Sequence, residues 1–190
     1  FAVSDEEKTA CVDKVPEELK RAILTAKSNI EKFHRTQLSV PQPVETTGGV
    51  FCRQEIRPIG KVGLYVPGGQ APLFSTVLML AVPARVAGCG EVVLCTPPMK
   101  DGSVNPVVLW TALQCGVDKI YKVGGTQAIA AMTLGTGTVP AVYKIFGPGN
   151  QYVMAAKQLA QRYGVAIDMP AGPSEVLVVA DSTARARYVA

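Results

Sequence analysis

Val62-Gly63-Leu64-Tyr65-Val66-Pro67-Gly68-Gly69 reads as a β-strand that ends in a glycine-proline turn, and an apolar helix follows from after Pro72 to about Gly88. The same unit then recurs. Glu91–Thr96 is a strand, and Ser103–Cys115 a helix that Gly116 ends. Lys119–Val123 and Tyr143–Phe146 read as strands, each with a helix behind it, at 126–134 and 150–163. The last helix carries Tyr152, Ala155, Ala156, Leu159 and Tyr163 on one face, with Asn150 as a favourable N-cap. Val165–Asp168 and Glu175–Asp181 complete the set of strands, and a further helix begins at Ser182-Thr183. Strands alternating with helices of this length predict right-handed βαβ units on a parallel sheet, so the fold class is α/β.

Ahead of this run, Leu19, Ala22, Ile23, Ala26, Ile30 and Phe33 fall at helical spacing. Pro16, Glu17 and Glu18 suit the start of that helix, and Lys32, His34 and Arg35 its end. Pro41 and Pro43 then give an extended linker, and 45–57 reads as a hairpin or irregular strands around Gly48-Gly49. The predicted division is 1–62 as an N-terminal helix and linker of a discontinuous domain, 63–174 as the sheet domain, and 175–190 as a return into the first.

Composition bounds the function. A 48% hydrophobic and 18% charged chain of 190 residues is a folded domain, with no apolar run long enough to cross a bilayer. The net charge of +4 is dispersed: residues 1–35 hold seven Lys/Arg against seven Asp/Glu, and no basic stripe follows. That pattern argues against nucleic acid as a partner. The five cysteines form no C-x-x-C pair and no signal peptide opens the chain, so reduced thiols in a cytoplasmic setting are expected. Cys89, Cys95 and Cys115 sit in apolar surroundings and read as small buried hydrophobes. The chain begins without an initiator Met and stops within a regular element, which suggests a piece of a longer protein.

Three turns carry the functional reading: Val66-Pro67-Gly68-Gly69, Gly147-Pro148-Gly149-Asn150 and Ala171-Gly172-Pro173-Ser174. Open α/β sheets bind ligands outside the carboxyl ends of their strands, where glycine allows close approach. Such turns point to a nucleotide or phosphate site, although the G-x-G-x-x-G fingerprint is absent. Tyr65, Gln127 (after Gly124-Gly125) and Asn150 all fall at this edge and are the candidate ligand contacts. Ser174 reads as a hydrogen-bonding contact, since a serine nucleophile needs a histidine base. His34, the sole histidine, sits on the remote first helix, so neither a metal site nor acid/base chemistry is expected within this chain. Competing readings are a nucleotide-binding module without chemistry and an aldehyde-dehydrogenase-like enzyme using a cysteine.

The stretch from Pro58 through Gly69 resembles histidinol dehydrogenases, as do Ser75-Thr76-Val77-Leu78-Met79, Lys144 through Asn150, and Ile167 through Leu177. One departure is Thr126, where the family usually has alanine before the glutamine. The resemblance runs from about residue 30 to the end. It implies an incomplete Rossmann-like, aldehyde-dehydrogenase-like fold in a zinc-dependent homodimer that oxidises L-histidinol through L-histidinaldehyde to L-histidine with two NAD. It also implies that Tyr65, Gln127 and Asn150 contact NAD and that Ser174 contacts the substrate. The family's zinc ligands and Glu-His acid/base pair are expected beyond Ala190, so this chain alone is expected to be inert.

Overall fold

The computed structural model describes residues 1–69, 71–170 and 177–188. Two helices open the chain, α1 (Asp5–Ala10) and α2 (Glu17–Arg35). Ser4 caps α1 in a reciprocal box with Glu7, and α2 carries acids in its first turn and bases in its last, matching the helix dipole at both ends. A two-stranded antiparallel hairpin, β1 (Val44–Thr47) and β2 (Val50–Cys52), follows, turning at Gly48-Gly49 as the sequence predicts.

The parallel run is β3 (Lys61–Tyr65), α3 (Phe74–Val86), β4 (Glu91–Thr96), α4 (Pro106–Gln114), β5 (Lys119–Lys122), α5 (Gly125–Leu134), β6 (Lys144–Phe146), α6 (Gln151–Ala160) and β7 (Ala166–Ile167). Among the described residues the main sheet has five strands in the order β5-β4-β3-β6-β7, all parallel. The expected α/β class is thus the observed one. Helix α4 starts later than Ser103, because Asn105 precedes a proline and is held extended; its Oδ1 then accepts from the Val107 N–H at 3.0 Å.

Side chains alternate across the sheet, so each strand feeds two cores. Val62, Leu64, Val92, Leu94 and Ile120 face α3 and α4, with Val3, Cys11, Val15 and Ile23 of the N-terminal segment in the same cluster. Tyr65, Val93, Cys95, Tyr121 and Ile145 face α5 and α6 on the other side. Helix α3 is apolar on nearly every face because it lies between the sheet and α2. Fully burying one of its valines or leucines contributes about 1.5–3 kcal/mol.

The outer edge of β5 is covered by the chain's first residues. The Val3 N–H donates to the Ile120 carbonyl at 2.9 Å, and the Lys122 N–H to the Phe1 carbonyl at 2.7 Å. Lys122 also pairs with Glu7 at 2.9 Å, tying α1 to the strand. This blocks pairing with another chain along that edge.

Three sequence expectations need correction. Leu177–Asp181, the described part of the expected strand Glu175–Asp181, is not a strand, and Leu177 and Val179 are exposed. A β-branched run becomes a strand only where a neighbour supplies the ladder and the packing, and no described strand lies alongside it. Ser182-Thr183 forms a turn, with a short 3₁₀ segment at Ala186–Tyr188 in place of a helix. In α6 the buried stripe is Val153, Lys157 and Ala160, while Tyr152, Leu159 and Tyr163 face outward.

Candidate functional site

Strand order reverses between β3 and β6, and the turns after these two strands lie side by side there. In an open α/β sheet this is where a crevice forms at the carboxyl edge. Gly147, the first residue after β6, has φ +133°, and a Cβ there would overlap the Tyr65 carbonyl. Only glycine lets the turn after β6 approach the end of β3 so closely. The backbone of Gly147 therefore packs directly against that of Tyr65 at the reversal point.

Each sequence candidate can now be placed. Tyr65 is 4% exposed, so its ring belongs to the core under α5 and α6; its hydroxyl accepts from the Gly125 N–H at 3.0 Å. That bond joins the end of β3 to the start of α5, two residues before Gln127. Gln127 itself is exposed in the first turn of α5 and lines a groove of about 310 Å³ between α5 and α6, with Ala130, Ala156 and Tyr163 among its neighbours. Asn150 is exposed and caps α6, its Oδ1 accepting from the Tyr152 N–H at 3.1 Å and the Val153 N–H at 3.0 Å. All three thus stand at one edge of the sheet. Ser174 lies outside the described residues.

Helix α5 is the open donor at this edge. Its N-cap residue, Gly124, has no side chain to cap it; the Tyr65 hydroxyl takes the Gly125 N–H, and the Gly124-Gly125 start, with φ +64° at Gly125, brings the helix end close to β3. An uncapped helix N-terminus presents backbone N–H groups to an anion, and the helix dipole favours negative charge there. A dinucleotide's pyrophosphate fits such a place.

Beneath the Gly147–Asn150 turn lies a pair that the sequence reading missed. Lys157, 1% exposed, donates from Nζ to the Gly147 carbonyl at 2.8 Å and forms an ion pair with Asp168 Oδ1. Asp168 Oδ2 accepts from the Gly147 N–H at 2.8 Å. The available signal was the position of Lys157, which falls at i+4 from Val153 and i−3 from Ala160 on one helical stripe. An acid directly after the last short strand, Asp168, completes it.

Among the described residues no metal-ligand cluster is found, and four of the five thiols are buried. His34 is half-buried at the end of α2, its Nδ1 2.7 Å from Gln37 Oε1, and among the described residues no group of three or more His, Cys, Asp or Glu could hold a metal ion. The residues described do not fit a zinc centre. Cys11, Cys89, Cys95 and Cys115 are buried free thiols. Burial pushes the Cys95 thiol up to about 12 and Cys115 up to about 11, the opposite of what a nucleophilic thiol needs. A larger apolar groove of about 560 Å³ opens elsewhere, between Val40, Ile56, Met79, Pro83 and Phe146, and none of the candidate residues lines it. No helix in the described residues is long and apolar enough to cross a membrane.

The whole chain, residues 1–190, matches the family model described as histidinol dehydrogenase. It is 61% identical over 190 residues to histidinol dehydrogenase of Bacteroides thetaiotaomicron, covering all of this chain and 44% of that protein. The crystal structure of histidinol dehydrogenase from Elizabethkingia anophelis superposes with a TM-score of 0.92 at 59% identity, over 97% of this chain and 43% of the other. A Burkholderia cenocepacia chain described as an aldehyde dehydrogenase shares the fold alone, with a TM-score of 0.51 at 18% identity over 80% of this chain and 32% of the other. The chain spans less than half the length of the relatives it matches. On this evidence the chain belongs to the histidinol dehydrogenase family.

Proposed function

We propose that this chain forms the NAD-binding part of a histidinol dehydrogenase, which oxidises L-histidinol through L-histidinaldehyde to L-histidine in histidine biosynthesis. One observation carries the reading: the start of α5, tied to β3 through Tyr65 and Gly125, and the Gly147–Asn150 turn both stand at the carboxyl ends of β3 and β6. Backbone N–H groups of α5 would receive the pyrophosphate. Gln127 offers an exposed amide beside it, and Asn150, whose oxygen is committed to capping α6, retains its NH₂ for the cofactor. Tyr65 acts from below, setting the position of Gly125 through its hydroxyl. Bound NAD supplies the hydride acceptor for both oxidations.

Within this reading residues 63–174 carry the cofactor groove, and 1–62 and 175–190 border it. Ser174 is assigned to the substrate. Zinc and the acid/base residues are assigned to parts of the protein outside this chain, and the active protein is a cytoplasmic homodimer. The buried thiols disfavour the alternative of cysteine-based aldehyde oxidation. The test is turnover by the full-length protein supplied with NAD and L-histidinol. Two NADH per L-histidine formed supports the reading, and no NADH formation in zinc-replete protein overturns it.

A further inference from the structure

We propose that Lys157 and Asp168 are positioning residues for the cofactor: together they grip both polar backbone groups of Gly147 and hold the Gly147–Asn150 turn against the end of β3. The inference rests on the NAD reading above. Gly147 stands just past β6, where the parallel ladder to β3 has ended, and at φ +133° its backbone has no conformational preference that would keep it there. Its N–H is held by Asp168 Oδ2 at 2.8 Å and its carbonyl by Lys157 Nζ at 2.8 Å, while the two side chains pair with each other. Three elements meet in this clamp: the end of β6, the middle of α6 and the residue after β7.

Stability alone is a poor reason for the pair. Burying the Lys157 ammonium against a half-buried Asp168 commonly stabilises no more than a well-packed apolar side chain of the same size would, whereas a charged pair with fixed hydrogen bonds specifies one backbone position. The position specified here is the turn that carries Asn150.

The test uses the full-length enzyme carrying K157M together with D168L, which removes both charges so that neither is left unpaired. The expected result is a folded protein whose KM for NAD rises about fivefold or more while kcat changes less than about twofold. Exchange of the Gly147 amide hydrogen should quicken at least about tenfold with or without NAD. That second readout separates the two claims. Faster exchange with no saturable NAD binding even in the wild type would sink the cofactor reading and leave the grip on Gly147 standing. A folded double variant with unchanged KM for NAD overturns the proposal, and so does unchanged exchange. Should the double variant not fold, D168N, which keeps the shape of the side chain, decides by the same measurements. Failure of both to fold would make the pair purely structural and also overturn it.

Discussion

The hydroxyl of Tyr65 accepts a hydrogen bond from the backbone N–H of Gly125 at 3.0 Å, across sixty residues of chain. It links the first strand of the parallel run to the helix that carries Gln127. This strand-end tyrosine packs its ring in the core and directs its polar tip to the backbone of the edge.

Replacing Tyr65 with phenylalanine keeps the packing and leaves the Gly125 N–H without its partner. The expected cost is about 0.5–1.5 kcal/mol of stability, with a modest rise in the KM for NAD. Equilibrium denaturation of the full-length protein alongside NAD kinetics measures both. A variant as stable as the wild type, with the same kinetics, would show that the bond positions nothing.

The thiols should separate sharply by reactivity. At pH 8 a group with a pKa of about 12, such as Cys95, is thiolate about one time in ten thousand. Cys115, at about 11, is only tenfold better, and Cys11 and Cys89 are also pushed up by burial. Among these five cysteines, a disulfide reagent added to native protein is expected to label the exposed Cys52 quickly and the others only on unfolding. Fast labelling of Cys95 in native protein would contradict the packing of the α5–α6 core.

Glu7 makes a pH prediction. Its hydrogen bond from the Ser4 backbone and its contact with Lys122 hold its carboxyl below the ordinary glutamate value. A lowered folded value means the contribution is complete above the ordinary value and is lost as the pH falls through the folded one. Glu7→Gln keeps an oxygen for the Ser4 N–H and removes the charge, so it should cost up to about 1 kcal/mol near neutrality, from the lost ion pair and the lost negative charge at the helix start. The gap from wild type should close as the medium becomes acidic. Denaturation midpoints at neutral and acidic pH test this, and a gap that widens in acid would reverse the sign.

The parts of the fold that the sequence revealed are those fixed by local chemistry. Strand-turn-helix repeats, the Asn150 cap and the dipole-matched ends of α2 each depend on residues a few positions apart, and each is present. Where tertiary context decides, local reading faltered. The apolar run from Leu177 has the composition of a strand but no described neighbour. Helix α6 has the expected period with its phase turned by about one residue, because Lys157 occupies a core position that hydrophobicity alone would deny it. Its partner Asp168 is eleven residues away, and only the sheet brings the two together. Tyr65, Gln127 and Asn150 were legible as one group because a parallel sheet puts every strand's carboxyl end on the same side.

The central claim is that this carboxyl edge holds NAD, and Gln127→Ala in the full-length enzyme tests it most directly. Loss of one neutral hydrogen bond at an exposed, non-core position should raise the KM for NAD roughly two- to twelvefold, with zinc content and melting temperature unchanged. Unchanged NAD kinetics with weaker histidinol binding would contradict the account and assign the edge to the substrate.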